Sequence, residues 1–248
     1  MANPLKQFEI QPIVPLHIGN IDVSYTNSSL WMTIGVVVSI VMLTIAVRPH
    51  ALIPGRLQMA SEMLYDFIAS MIRENMGPKG RKFFPLIFTL FVVVMMGNSL
   101  GLLPFSFTYT SHIIVTVALA LMIFAMVIVL GLIKHGLHFF TLFVPPSTPM
   151  WLLPLIFTLE LVSFFVRPVT LSVRLFANMM AGHIVLKVFA AFSVSALALG
   201  TAGWIAGLVP MLFNSILIGF ELLIAYLQAY VFAVLSCIYL KDALELEH

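Results

Sequence analysis

The chain is predicted to be an all-α integral membrane protein of about five transmembrane helices, two of them long and tilted, with one interfacial amphipathic helix. Two observations lead there. Hydrophobic residues make up 61% of the sequence and charged residues only 9%, with a mean hydropathy of +1.10, a balance too apolar for a water-soluble fold. The charges are also segregated, leaving uncharged runs long enough to cross a ~30 Å hydrocarbon core at ~1.5 Å per residue. The longest polar stretches are an N-terminal extramembrane arm, residues 1–29, and a basic region around Arg73–Lys82, so residues 30–248 read as a single polytopic membrane domain.

Leu30–Val47 is the first such run, and it lacks the basic leader and Ala-x-Ala-like site of a removable signal, so it is read as a retained span. Phe83–Leu103 and Ile113–Ile133 are the next two. Between the first and second, residues 57–75 place Ala60, Met63, Leu64, Phe67, Ile68, Met71 and Ile72 on one helical face, with Gln58, Ser61, Glu62, Asp66, Arg73 and Glu74 opposite. That pattern describes a helix lying in the membrane interface, or one packed on the end of the bundle. Residues 150–192 and 204–240 are too long for upright spans, since unbroken helices of that length reach roughly 55–65 Å. Each is a tight hairpin or one steeply tilted helix. No polar turn cluster interrupts either run, and Pro154, Pro168 and Pro210 are tolerated inside membrane helices, so two long tilted helices are expected.

Loop charges set an orientation. Arg48, Arg56, Arg73, Lys79, Arg81 and Lys82 lie between the first two spans, whereas Pro104–His112 and Ser193–Gly203 contain neither Lys nor Arg. By the positive-inside rule the N-terminus is outside and the C-terminus, with Lys241, is cytoplasmic; five spans satisfy this. Cys237, the single cysteine, excludes an intrachain disulfide and reads as a small packed hydrophobe.

Functional residues are sought among polar groups that hydrocarbon should exclude. A cation at mid-membrane costs roughly 2.5–3.5 kcal/mol on insertion scales, so Arg174, deep in an apolar run, is expected to have a task. Glu160, Arg167 and Arg174 are spaced by seven residues, which brings them onto one helical stripe, and Asn214, Glu221 and Gln228 repeat the spacing on the last helix. Two adjacent polar stripes make a plausible wet path for an ion. His183, nine residues beyond Arg174, falls on roughly the opposite face, and a membrane-embedded His and Glu could hand protons along a cleft. Ala177 and Ala181 keep the face of Arg174 small, so the arginine is expected to point at a partner surface.

Plainer readings stand beside these. Arg167, next to Pro168, also fits a structural partner for Glu160; Lys187 fits a side chain snorkelling to the outer interface; and Asn98, within Gly97-x-x-x-Gly101, fits a helix-packing hydrogen bond. His17, His50, His112, His135, His138 and His248 show no metal-ligand spacing, although His135 and His138 could share a helix face. No cofactor or metal is expected.

The segment Leu171-Ser-Val-Arg-Leu-Phe-Ala-Asn-Met-Met-Ala-Gly-His183 carries a specific resemblance. With Glu160–Pro168, Asn98-Ser-Leu-Gly-Leu-Leu-Pro104, Leu227-Gln-Ala-Tyr-Val-Phe232 and Tyr239-Leu240, it resembles subunit a of F-type ATP synthases, in order over most of the chain from Leu30 onward. Gln7-Phe-Glu-Ile-Gln-Pro12 and Tyr25-Thr-Asn-Ser-Ser-Leu30 are similar to alphaproteobacterial and plant mitochondrial members. The resemblance implies a stator subunit with two offset half-channels beside a rotating ring of c subunits. It also implies b subunits of a peripheral stalk, a soluble ATPase sector reached through the complex, and a bacterial inner membrane, with the mitochondrial inner membrane as the alternative. Arg174 then matches the essential arginine, Asn178 the asparagine four residues on, Gln228 the glutamine of the last helix, and Glu160 the acidic residue at the start of the long helix. Some members carry Glu where this chain has His183 and His where it has Glu221; the exchange keeps one acid and one imidazole, and points to protons rather than sodium. Asn214 joins the expected path, with Arg167 and Thr170 as further possible members.

The implied mechanism is electrostatic. A protonated ring carboxyl is neutral and can face lipid, and facing Arg174 it is driven to release its proton; the same fixed cation blocks a direct leak. Protons would pass Glu221, His183, Gln228 and Asn178 from outside and leave near Glu160. A self-contained proton-coupled secondary transporter is the alternative, but the sequence shows no inverted repeat. No Gly-x-x-x-x-Gly-Lys-Ser/Thr occurs, so ATP chemistry is expected on partners, and nothing in the charge distribution points to nucleic acid.

Overall fold

Helix starts and stops follow the local chemistry of the chain. The computed structural model describes residues 8–19, 21–48, 54–103, 106–143, 150–197 and 201–244; His50, His248 and the first residues of the N-terminal arm lie outside them. In the arm, β1 (Pro12–Val14) pairs antiparallel with β4 (Tyr25–Thr26), and β2 (His17–Ile18) with β3 (Ile21–Asp22). Asn27 ties the outer ladder down, accepting from the Gln11 amide at 3.2 Å and donating to the Glu9 carbonyl at 3.1 Å.

Thr26 is the extended N-cap of α1 (Asn27–Val47), its hydroxyl accepting from the Ser29 amide at 3.4 Å. Helix α2 (Arg56–Met76) stops at Gly77, whose φ of +63° is a left-handed conformation that glycine adopts readily. A 3-10 segment, Gly77–Phe83, leads into α3 (Phe84–Gly101). Helix α4 (Ile113–His135) ends at Gly136, φ +57°, and a second 3-10 segment, Gly136–Phe143, follows. His135 and His138 therefore do not share a helix face: Gly136 breaks the helix between them. Helices α5 (Leu153–Leu197) and α6 (Thr201–Leu244) run 45 and 44 residues without interruption, with Pro168 and Pro210 inside them. The fold is all-α, and among the described residues five helical stretches are long and apolar enough to cross a membrane.

Most expected boundaries move outward. The first helix begins at Asn27 rather than Leu30, and Ser193–Leu197 and Thr201–Gly203, expected to be loop, are helical. Hydropathy marks only the stretch that suits hydrocarbon, while backbone hydrogen bonding carries a helix on through polar residues at its ends.

The chain divides into two compact units, and α3, α5 and α6 contribute to both. The first comprises Met1–Arg48, Val92–His112 and Leu175–Ala229. Here the segment after α3 is locked by close approach to glycines. A Cβ on Gly97 would lie 2.5 Å from the Tyr109 hydroxyl, and one on Gly101 would lie 2.3 Å from Thr108 Oγ1. Burial pushes the Tyr109 phenol up to about 12, so it stays protonated and donates to the Val93 carbonyl at 3.1 Å. Asn98, fully buried, donates to the Ala225 carbonyl at 3.2 Å, as the packing reading expects.

The second unit comprises Pro49–Phe91, Ile113–Arg174 and Tyr230–His248. Helix α2 buries Ile68, Met71, Ile72 and Met76, and Phe67 packs on Phe91 and Tyr230 with ring centroids 6.0 and 5.6 Å apart. Its first turns differ, since Leu57, Met59 and Met63 stay exposed. Phe139, Phe143 and Phe164 form an aromatic core against α4 and α5, Phe139 fitting against Gly131. Cys237 is fully buried, as its reading as a packed hydrophobe expects.

Only 11% of the most apolar window of α5, and 11% of that of α6, is buried within the chain. So much exposed apolar surface has to be covered by lipid or by other proteins.

Adding a methyl at Gly97 is expected to displace Tyr109 and to cost about 1–3 kcal/mol. Gly97→Ala should lower the melting temperature of the detergent-extracted protein, and Gly97→Ala with Tyr109→Leu should regain part of the loss. An unchanged melting temperature in Gly97→Ala would contradict the packing described.

Candidate functional site

In the first unit, α5 and α6 bring two polar pairs together. Asn178 Nδ2 donates to Gln228 Oε1 at 2.8 Å. One turn and a half further along α5, His183 Nδ1 lies 3.8 Å from Glu221 Oε1, an ion-pair separation rather than a hydrogen bond. Both His183 and Glu221 are buried. Gly182 makes this approach possible: a Cβ there would lie 2.5 Å from Glu221 Oε1 and 2.8 Å from its Cδ. Among the described residues neither Glu221 oxygen accepts a hydrogen bond, and the Gln228 side-chain nitrogen and Asn214 Oδ1 are buried and likewise unpaired. The seven-residue spacing thus does turn Glu221 and Gln228 inward on α6, with Asn214 half-buried a further two turns away.

Two residues absent from the sequence reading meet this group. Thr108 Oγ1 lies 2.9 Å from His183 Nε2, within a buried contact, and Phe8 of the N-terminal arm packs on the imidazole at a centroid distance of 6.4 Å. Apart from this group, His112 stacks on Phe107 at 5.1 Å, and burial lowers its pKa. Lys187 is exposed.

The other stripe behaves differently. In the second unit Arg167 Nη1 donates to Asp242 Oδ2 at 2.8 Å, and its guanidinium sits 5.3 Å from the Tyr239 ring centroid. Arg167 does have a structural partner, but it is Asp242, not Glu160. Seven residues along a helix rise about 10 Å, too far for a direct contact between Glu160 and Arg167. Thr170 turns its hydroxyl back to the Arg167 carbonyl at 2.9 Å, and Glu160 is half-buried. Arg174 is exposed, and among the described residues it makes no ion pair. Ala177, Asn178 and Ala181 are exposed beyond it, giving a small-residue face that a second surface can approach closely. Among the described residues no three His, Cys, Asp or Glu side chains gather as a metal site requires.

An all-α membrane chain with a buried acid–imidazole pair, and with an exposed arginine on a long apolar helix that makes no ion pair among the described residues, fits a class of ion-handling membrane protein. The family model described as ATP synthase A chain matches residues 29–241. The chain is 51% identical over 247 residues to "ATP synthase subunit a" of Mesorhizobium japonicum, covering 100% of this chain and 98% of that one. It is 51% identical to the protein of the same name from Agrobacterium fabrum, with 100% of each covered, and 48% identical to that of Parvibaculum lavamentivorans, with 100% of this chain and 95% of the other covered. The chain belongs to the ATP synthase A chain family.

The Arg167–Asp242 bridge is partly exposed, so its coupling is modest, about 1 kcal/mol or less. Arg167→Ala and Asp242→Ala should each lower the melting temperature of the extracted protein, and the double substitution should cost less than the sum of the two. Strict additivity would show that the bridge contributes nothing.

Proposed function

We propose that the chain is the stator subunit a of a proton-translocating F-type ATP synthase and forms two proton half-channels against a ring of c subunits. On this reading it is no enzyme alone and needs no cofactor: the proton is the transported ion, and ATP chemistry belongs to the soluble sector. The observation that carries the reading is Arg174, a permanent cation exposed on a long apolar helix and left without an ion pair among the described residues. A charge held so in a membrane calls for an opposite charge on a neighbouring protein. A ring carboxyl that comes to face Arg174 is stabilised as the carboxylate, and releases its proton. Between passes it must be protonated, and therefore neutral, to face lipid. The fixed cation also repels any proton taking the short way between half-channels.

The outer half-channel is assigned to Glu221, His183, Gln228, Asn178 and Asn214. What supports this is the 3.8 Å approach of His183 to Glu221 and the 2.8 Å contact of Asn178 with Gln228, two polar pairs inside otherwise apolar helices. Glu160 is assigned to the cytoplasmic side; Arg167 and Thr170 are assigned a supporting part there, since both are engaged within the chain. Loop charges favour an N-terminus outside and a C-terminus in the cytoplasm, in a bacterial inner membrane, with the b subunits of the peripheral stalk holding the chain against rotation. The exposed start of α2 suits the membrane interface.

In vesicles carrying the whole complex, Arg174→Ala is expected to abolish ATP-driven proton uptake while leaving the c ring and soluble sector attached. Glu221→Gln is expected to reduce both ATP-driven uptake and passive conduction after removal of the soluble sector by a factor of about 10²–10⁴, the range for loss of a positioned acid–base group. Coupled pumping at the normal rate in Arg174→Ala would overturn the assignment, and normal fluxes in Glu221→Gln would reduce the outer pair to packing.

A further inference from the structure

We infer that Thr108 is a positioning residue of the proton path, holding the His183 imidazole toward Glu221 and serving its far nitrogen in both protonation states. The inference rests on the reading of His183 and Glu221 as a relay. Three observations carry it. First, Thr108 Oγ1 and His183 Nε2 are 2.9 Å apart, and His183 Nδ1 faces Glu221 at 3.8 Å, so the two ring nitrogens are committed to opposite neighbours. Second, Thr108 is itself fixed. Gly101 leaves room for its hydroxyl, since a Cβ there would lie 2.3 Å from Oγ1, and its carbonyl accepts from the Ser111 amide at 3.1 Å and the Ser111 hydroxyl at 2.5 Å. Third, Thr108 and His183 are both buried, and Phe8 packs on the ring from a further direction.

A hydroxyl suits this position because it both donates and accepts. With a neutral imidazole protonated at Nδ1, Thr108 donates to the Nε2 lone pair. With the imidazolium, Nε2–H donates to the Thr108 oxygen. A partner limited to one role, a carbonyl or an ammonium, would oppose one of the two states. Thr108 leaves the ring free to gain or lose its proton while its orientation toward Glu221 is kept. Buried polar atoms left unpaired cost free energy, so without the hydroxyl Nε2 gains by turning away from this geometry.

The test uses the whole complex in vesicles, with wild type, Thr108→Val, Thr108→Ser and Glu221→Gln compared at matched amounts of chain and ring. Valine keeps the shape of threonine and removes the hydroxyl; serine keeps the hydroxyl and removes a methyl. Thr108→Val is expected to slow passive proton conduction and ATP-driven uptake roughly five- to tenfold, and Thr108→Ser to keep more than half of the wild-type rate. A wild-type rate in Thr108→Val, or equal slowing in Thr108→Val and Thr108→Ser, would overturn the inference. Should Thr108→Val not accumulate, Thr108→Ala replaces it, again expected to be slow, with a wild-type rate overturning the inference. Normal conduction in Glu221→Gln would overturn the relay and this inference together. Loss in Glu221→Gln with normal conduction in Thr108→Val would overturn this inference alone.

Discussion

The cost of holding charge and hydrogen-bonding groups away from water governs this chain. Several polar side chains on α5 and α6 are answered by a neighbour and others are turned outward, while the Glu221 oxygens stay buried without a hydrogen bond among the described residues. Arg167 is answered by Asp242 and by the face of Tyr239, Asn178 by Gln228, and Asn98 by a backbone carbonyl. Arg174 is turned outward. In a helix whose surroundings are lipid or protein, that choice separates the residues engaged within the chain from an exposed cation that makes no ion pair among the described residues.

Packing against glycine extends the same logic. Gly97 and Gly101 admit Tyr109 and Thr108, and Gly182 admits the Glu221 carboxyl, so polar groups are placed where a single added methyl would exclude them. The buried acid–imidazole pair is thus built by the absence of side chains as much as by their presence. Its neighbours come from distant parts of the sequence: the N-terminal arm through Phe8 and the segment after α3 through Thr108.

Much of the fold was legible because the hydropathy of a membrane helix is set by a solvent of fixed thickness. Five spans and the helix over 57–75 could be read in order, and the two longest runs could be recognised as single helices. Helix ends were less legible. Asn27, Ser28 and Ser29 look like loop, yet Thr26 caps a helix there. Within the site, His183, Glu221 and Gln228 stood out because polarity in an apolar run is rare. Thr108 did not, since a threonine in a connecting segment is ordinary and its partner lies 75 residues away. Arg167 shows the reverse error: the nearest acid on its own stripe suggested Glu160, but a rise of about 10 Å separates them, and Asp242 folds in from the other long helix.

The continuity of α5 has a mechanical side. A helix of 45 residues is a hydrogen-bonded rod of roughly 65 Å, and such a rod resists sideways load far better than a chain of short segments joined by loops. Pro168 is the notch in it, because proline supplies no amide hydrogen and one bond of the ladder, to the Phe164 carbonyl, cannot form. Bending compliance is therefore concentrated less than two turns from Arg174. A sideways load on this stretch would fall on a stiff beam next to its softest joint, and a small deflection there needs no unwinding of the helix.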